Sequence, residues 1–337
     1  MTSPAPPIAL TMGDPAGIGP ELSLKAWSEF QAAGPVFFII ADTERMEMLA
    51  REMGFPVQSI THPAAAGDVF ADALPVLPVT LNEAATPGTP NRKNAPVIIE
   101  SIERAVRFAL AGQVSSVVTN PISKAILYSE DFKHAGHTEF VADLSTDYPL
   151  PGERGPIMML ASPLLRVSLV TIHAPLKDAI ASLSVESIVR TARITAQALQ
   201  RDFGIANPRL AIAGLNPHAG EAGSIGREEI DIIEPAAAAL RDEGFDVMGP
   251  LPPDAMFHTE ARAKYDAAIC LYHDQGLIPL KALDFWGGVN VTLGLPLIRT
   301  SPDHGTAFDL AGKGIARADS LIAAIRMAGE MAARRAA

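Results

Sequence analysis

The chain has 337 residues, 48% of them hydrophobic, which is enough apolar side chain for one large core or two ordinary ones. Its formal net charge of -11 leaves no broad basic field for a phosphate backbone and excludes a general nucleic-acid binder. The single cysteine, Cys270, sits in an apolar run, excludes an intramolecular disulfide and reads as a buried structural thiol. The opening residues lack a basic segment followed by a long apolar one. No apolar run approaches the roughly 20 residues that cross a bilayer, so a cytoplasmic protein with no membrane partner is expected.

In chain order, "PIALTM" (7–12) predicts a buried strand and "VFFIIA" (36–41), like "RLAIAGL" (209–215), one buried on both faces. Between them, "GDPAGIGPE" leads into a helix near Pro20, as an anion-binding turn or as a plain tight one. The stretch 56–95, rich in Pro, Ala and Gly, predicts an irregular excursion with one or two strands. A helix over 96–112, a strand over 115–119 and the polar run "NPISK" follow. "KHAGHTEF" places His137 and Thr138 at a helix start, where Thr138 is either an N-cap or an anion contact.

Strands at 156–160 and 166–172, with His173 just beyond, precede a helix at 185–204 and a strand at 209–215 that leads to "NPHAGE". A helix over 227–244 carries Pro235 and should kink there. A strand, "AAICLY" (267–272), runs into "HDQGLIPLK", another is "VNVTLGL" (289–295), and a Gly- and Asp-rich loop (300–314) leads to the last helix at 320–335. Alternating strands and helices predict an α/β fold.

In such folds ligands gather beyond the carboxyl ends of strands. Three histidines, His173, His218 and His273, lie at or just past three such ends, either as hydrogen-bonded loop residues or as imidazole ligands of one divalent metal. Lys281, Asn290 and Arg299 follow one another at nine-residue steps; if they converge they clamp a phosphate or carboxylate. The loop "TSPDHGTAFDLAGKG" either wraps an adenosine ribose or simply connects a strand to a helix.

The ordered set "TMGDPAGIGPE", "NPISK", "HAGHTEF", "NPHAGE", "GPLPPDAMF", "YHDQGLIPLK" and "GVNVTLGLPLIRTSPDHGTAFDLAGKG" resembles the 4-hydroxythreonine-4-phosphate dehydrogenase family of pyridoxal phosphate biosynthesis, essentially end to end. The resemblance implies a two-domain fold like that of the isocitrate and isopropylmalate dehydrogenases, with the active site in the interdomain cleft. The expected layout is a discontinuous first α/β domain (1–125 plus 290–337) and a second (126–289) bearing the dimer interface of a homodimer. It implies His173, His218 and His273 as metal ligands, drawn from both subunits, and His137, Thr138, Lys281, Asn290 and Arg299 as substrate contacts.

The implied reaction is NAD- or NADP-dependent oxidation at C3 of 4-phosphooxy-threonine, followed by decarboxylation to 3-amino-2-oxopropyl phosphate. Lys281 or Asp254 takes the hydroxyl proton, Asp274 orients an imidazole or the substrate amine, and His304, Gly305, Thr306 and Asp309 contact the cofactor. Three imidazoles favour zinc or cobalt over magnesium, with manganese also in range. Asp14 stands where the family often has glutamate, and "STDYPLPGERGP" is longer than usual. Those departures leave open phosphorylated threonate or erythronate as substrate, and a non-catalytic phosphometabolite-binding protein as the other class of reading.

Overall fold

A computed structural model describes residues 5–128, 132–134 and 136–336. Among the described residues run twelve strands: β1 (Ile8–Thr11), β2 (Phe37–Asp42), β3 (Val57–Ser59), β4 (Leu74–Val79), β5 (Ser116–Thr119), β6 (Ile157–Ala161), β7 (Arg166–Leu169), β8 (Arg209–Ala213), β9 (Asp246–Leu251), β10 (Ala267–Cys270), β11 (Val289–Leu293) and β12 (Arg299–Pro302). They fall into two compact units, Met1–Pro149 with Pro296–Ala337, and Leu150–Leu295. The sequence-based boundaries at 125/126 and 289/290 shift accordingly. Helix His137–Leu144 stays with the first unit because it packs on helix Ala95–Leu110, and β11 stays with the second because it pairs along its length with β6.

In the first unit the strands run in the order β3-β4-β2-β1-β5-β12, and every pairing is parallel. Parallel neighbours need long crossovers, and helices supply them. Both faces of the central strands are therefore covered, and Ile8, Leu10, Phe37, Phe38, Ile39 and Ile40 are each at most 1% exposed. One crossover, helix Thr43–Met53, has no counterpart in the sequence reading. Asp42 ends β2 and at once caps that helix, accepting from the Arg45 backbone N–H at 2.8 Å, and Gly54 closes it in the left-handed conformation.

The second unit is mixed, in the order β11-β6-β7-β10-β8-β9: β11, β6 and β7 pair antiparallel, whereas β7, β10, β8 and β9 pair parallel. Its core joins Met158, Leu160, Val167, Leu169, Ala211, Ala268 and Cys270. Cys270 is fully buried and burial pushes its thiol up to about 12, so it packs and does not react.

Two expectations about this unit need correction. The strand expected over 267–272 stops at Cys270, and His273–Leu283 is a helix, so Lys281 rides on its last turn and not on a strand. The helix expected over 227–244 is a π-helical turn, Glu229–Ile233, joined to an α-helix, Glu234–Asp242. Pro235 explains the join, because proline is tolerated in a first helical turn and not in a helix interior. No described helix is long and apolar enough to cross a membrane.

Candidate active site

Within the first unit, strand ends and one helix start bring basic groups together. Arg299 opens β12, is 2% exposed, and donates from Nη2 to Oγ1 of Thr119 at the end of β5, at 2.6 Å. Burial lowers its pKa to about 10, with Glu139 opposing. His137 is the first residue of its helix. The residue is half-buried, but its Nε2 is closed off from solvent and has no hydrogen-bond partner among the described residues. Burial, then the positive charges of Arg299 and Lys124, hold the imidazole well below its ordinary value, so it is neutral at pH 7.

The Lys124 side chain passes beside Gly136: a Cβ built on that glycine would lie 3.8 Å from Lys124 Nζ and 3.6 Å from Glu139 Oε2. Gly136 is the N-cap and no side chain caps this helix, so Thr138 lies inside the first turn and is not its N-cap. An open helix start flanked by Arg299, Lys124 and a neutral imidazole is suited to an anion. Sequence reading had noted "NPISK" without giving Lys124 or Thr119 a part; their signal was position after a strand, which only the β5–β12 pairing makes specific.

The loop "GDPAGIGPE" resolves toward packing. Gly13 has φ +70°, and a Cβ there would lie 2.7 Å from Asn120 Cβ; Gly17 approaches the Thr306 backbone the same way. Ile18 N–H donates to the Thr306 carbonyl at 3.0 Å, so the glycines seat this loop against 303–309. Of the residues expected to contact cofactor, His304 and Thr306 are half-buried in that segment, whereas Gly305 and Asp309 are exposed. Asp14 is 2% exposed, Oδ1 accepts from Ala16 N–H at 3.0 Å, and burial raises its pKa.

In the second unit His173 follows β7 and His273 begins the helix after β10. Their ring centroids lie 5.8 Å apart and tilted by 43°. Two imidazoles on one ion, with metal–nitrogen bonds of about 2.0–2.1 Å, have centroids roughly 5–6 Å apart, so the pair fits one cation. Asp274 Oδ1 lies 2.7 Å from His273 Nδ1, which leaves Nε2 for a ligand. The two rings line a cavity of about 300 Å³ with Ile172, Leu176, Ala179 and Tyr272. Among the described residues no three His, Cys, Asp or Glu side chains gather as a metal shell, so His218 does not join the pair within one chain.

His218 lies in a left-handed turn, Pro217–Gly223, with φ of 54° at His218, 51° at Ala219, 44° at Glu221 and 54° at Ala222. Left-handed backbone costs an L-residue about 1–2 kcal/mol, so four such residues need firm support. Glu229 provides it. Its buried carboxylate accepts from the Leu215 N–H (2.8 Å), the Asn216 N–H (2.7 Å) and Asn216 Nδ2 (2.9 Å). Burial works against that charge, but those hydrogen bonds prevail and its pKa is lowered. Sequence reading gave Glu229 no role, because the π-helical turn that aims it leaves no periodic signature.

Of the remaining candidates, Asp254 is exposed in the short helix Pro253–Met256. Lys281 lies over the Phe285 ring at 5.1 Å, eight residues and therefore about 12 Å along the helix axis from His273. Asn290 is half-buried in β11, and its Oδ1 is buried with no partner.

A strand-end anion site in one α/β unit and a histidine pair over a cavity in the other define an enzyme that handles a small anionic metabolite. The sequence profile of the pyridoxal phosphate biosynthetic protein PdxA matches residues 33–328. The chain belongs to that family. It is 54% identical over 329 residues to the 4-hydroxythreonine-4-phosphate dehydrogenase of Caulobacter vibrioides, covering 98% of each. The crystal structure of the enzyme of that name from Klebsiella pneumoniae superposes with a TM-score of 0.86 at 36% identity, over 97% of this chain and 100% of that one. A terephthalate 1,2-cis-dihydrodiol dehydrogenase from Burkholderia xenovorans superposes at 0.66 and 32% identity, over 97% and 98%.

Proposed function

We propose that the protein oxidises the C3 hydroxyl of 4-hydroxythreonine 4-phosphate with NAD or NADP, and that the resulting 3-oxo acid loses carbon dioxide to give 3-amino-2-oxopropyl phosphate. The observation that carries this reading is the anion site of Arg299, Lys124 and the buried Nε2 of His137, which has no partner among the described residues. A phosphate brings three acceptor oxygens to these donors, with Thr138 in the same helical turn. Lys281 and Asn290 complete the substrate contacts in the proposal, and the buried Oδ1 of Asn290 suits the substrate amine.

In the same reading His173, His218 and His273 hold one divalent cation, zinc or cobalt before magnesium or manganese. Bound there, it supplies Lewis acidity that makes the substrate hydroxyl easier to deprotonate. Asp274 holds the His273 ring with Nδ1 engaged. Lys281 or Asp254 takes the hydroxyl proton while hydride leaves C3 for the nicotinamide, which contacts His304, Gly305, Thr306 and Asp309. A cytoplasmic homodimer belongs to the proposal, and a two-chain metal shell accords with His218 standing apart from the pair. Ile278, Phe285 and Trp286, 66%, 59% and 48% exposed along and just after one helix, suit a subunit contact.

A second reading, oxidation of phosphorylated threonate or erythronate, uses the same anion site. The test is a panel of all three phosphorylated acids and a dihydrodiol with both nicotinamides and several divalent metals, read by cofactor reduction. The proposal expects the fastest turnover with 4-hydroxythreonine 4-phosphate. Tight binding of a phosphorylated acid with no reduction of either nicotinamide overturns it in favour of a binding protein.

A further inference from the structure

The pairing of β8 with β10 stops at Ile212 and Ile269. Their register, Ala267 with Leu210, Ala268 with Ala211 and Ile269 with Ile212, extends to set Leu271 opposite Gly214. Opposite residues of a parallel pair bond to each other's neighbours and not to each other, and here the side chain of Gln275 bridges the two. Its Oε1 accepts from the Leu271 N–H at 2.7 Å, and its Nε2 donates to the Gly214 carbonyl at 2.7 Å. The carboxamide thus bridges the two backbones just past the end of the ladder.

Gln275 is 6% exposed and sits two residues after His273 in the first turn of its helix. Gly276 lets that turn press on β7, since a Cβ there would lie 2.9 Å from Leu169 Cδ2. The next peptide group along is held as well, where Thr171 Oγ1 donates to the Leu271 carbonyl at 2.7 Å. Thr171 is two residues before His173, Leu271 two before His273, and Gly214 four before His218. One short chain of hydrogen bonds therefore ties together the three strand exits that carry the histidines.

We propose that Gln275 is a positioning residue whose carboxamide fixes the separation of the β8 and β10 exits and so sets where His218 and His273 are presented. As a statement about cation binding this rests on the metal reading above. Only a carboxamide does both jobs: glutamate keeps an acceptor for Leu271 but sets a carboxylate oxygen against the Gly214 carbonyl, and alanine loses both bonds.

The test compares Gln275→Glu and Gln275→Ala with the parent protein, each checked for fold by circular dichroism. Amide hydrogen exchange is measured on metal-free protein, and the cobalt(II) dissociation constant by titration. In the parent, the Leu271 amide should exchange slowly although it lies past the strand end. Gln275→Glu should leave Leu271 protected and speed exchange at Leu215 and Asn216, whereas Gln275→Ala should speed all three by about tenfold or more. Both should weaken cobalt(II) by about tenfold or more, the usual effect of losing a residue that orients a ligand.

Unchanged cobalt(II) affinity in folded variants, including a lowered Tm with unchanged affinity, overturns the proposal. Free exchange of Leu271 in the parent overturns it even if neither variant folds. A parent protein that binds no cobalt(II) sinks the metal reading instead, and the exchange pattern then decides the fate of the strap alone.

Discussion

His173 and His273, a hundred positions apart in the chain, present their rings to each other at 5.8 Å between centroids. The pairing of β7 with β10 in parallel register brings them together, since each lies within four residues of the end of one of those adjacent strands. His273→Ala should weaken zinc or cobalt(II) by well over tenfold while changing Tm little, because its side chain is about one-third exposed. Asp274→Ala should cost about 10–100-fold through loss of the bond that orients the ring. Calorimetric titration of metal-free protein checks both, and undiminished affinity in His273→Ala removes that residue from the ligand set.

Arg299 offers a test of the phosphate site. It is a buried charge, held where an apolar side chain would sit at lower cost. Arg299→Met should therefore leave the ligand-free protein about as stable as the parent, and raise KM for the phosphorylated substrate by roughly 10–100-fold, the loss of one strong charge-assisted bond. A melt and a substrate titration give the two numbers, and an unchanged KM would place the phosphate elsewhere.

His137 makes a pH prediction whose sign follows from its direction of shift. Its folded-state pKa lies well below the ordinary 6.5, so below about pH 6.5 the unfolded chain takes up a proton that the folded chain refuses. Its share of stability is complete above that value and is lost as the pH falls through it. Tm should drop more steeply between about pH 7 and 5 in the parent than in His137→Gln. Inorganic phosphate should flatten the parent's curve, because an anion raises the imidazole pKa.

Glu229 supports the strained turn around His218 through three charge-assisted bonds. Glu229→Ala should destabilise the protein by about 2–4 kcal/mol, and Glu229→Gln by less, since the amide can still accept from one side. Faster proteolysis or amide exchange confined to 215–224, measured below the melting range, would locate the damage in that turn.

Much of this was legible in the sequence. Runs such as "VFFIIA" and "RLAIAGL" fixed strands to within two residues or so, because strands buried on both faces must be continuously apolar. Helix Val185–Phe203 was equally plain, with apolar residues at three- and four-residue steps and Ser184 as its cap. Histidines beyond strand ends were visible for the same reason: apolar runs stop where ligand chemistry starts. Helix Thr43–Met53 escaped because its single-residue cap also closes a strand, and the helix in "HDQGLIPLK" escaped because Pro279 and a weak apolar face obscure it.

What the chain's order of residues settled by itself was therefore local: which segments are buried, where they end and which polar types stand there, all consequences of side-chain solubility and backbone stereochemistry. Tertiary structure alone decided the partners. Strand adjacency brought His173 to His273 and Arg299 to Thr119, and a π-helical turn aimed Glu229 at the His218 loop. It also set Gln275 between the ends of β8 and β10, where one side-chain amide bridges the two backbones. Such contacts depend on which strands neighbour each other, and hydrophobic periodicity along one segment carries no record of its neighbour.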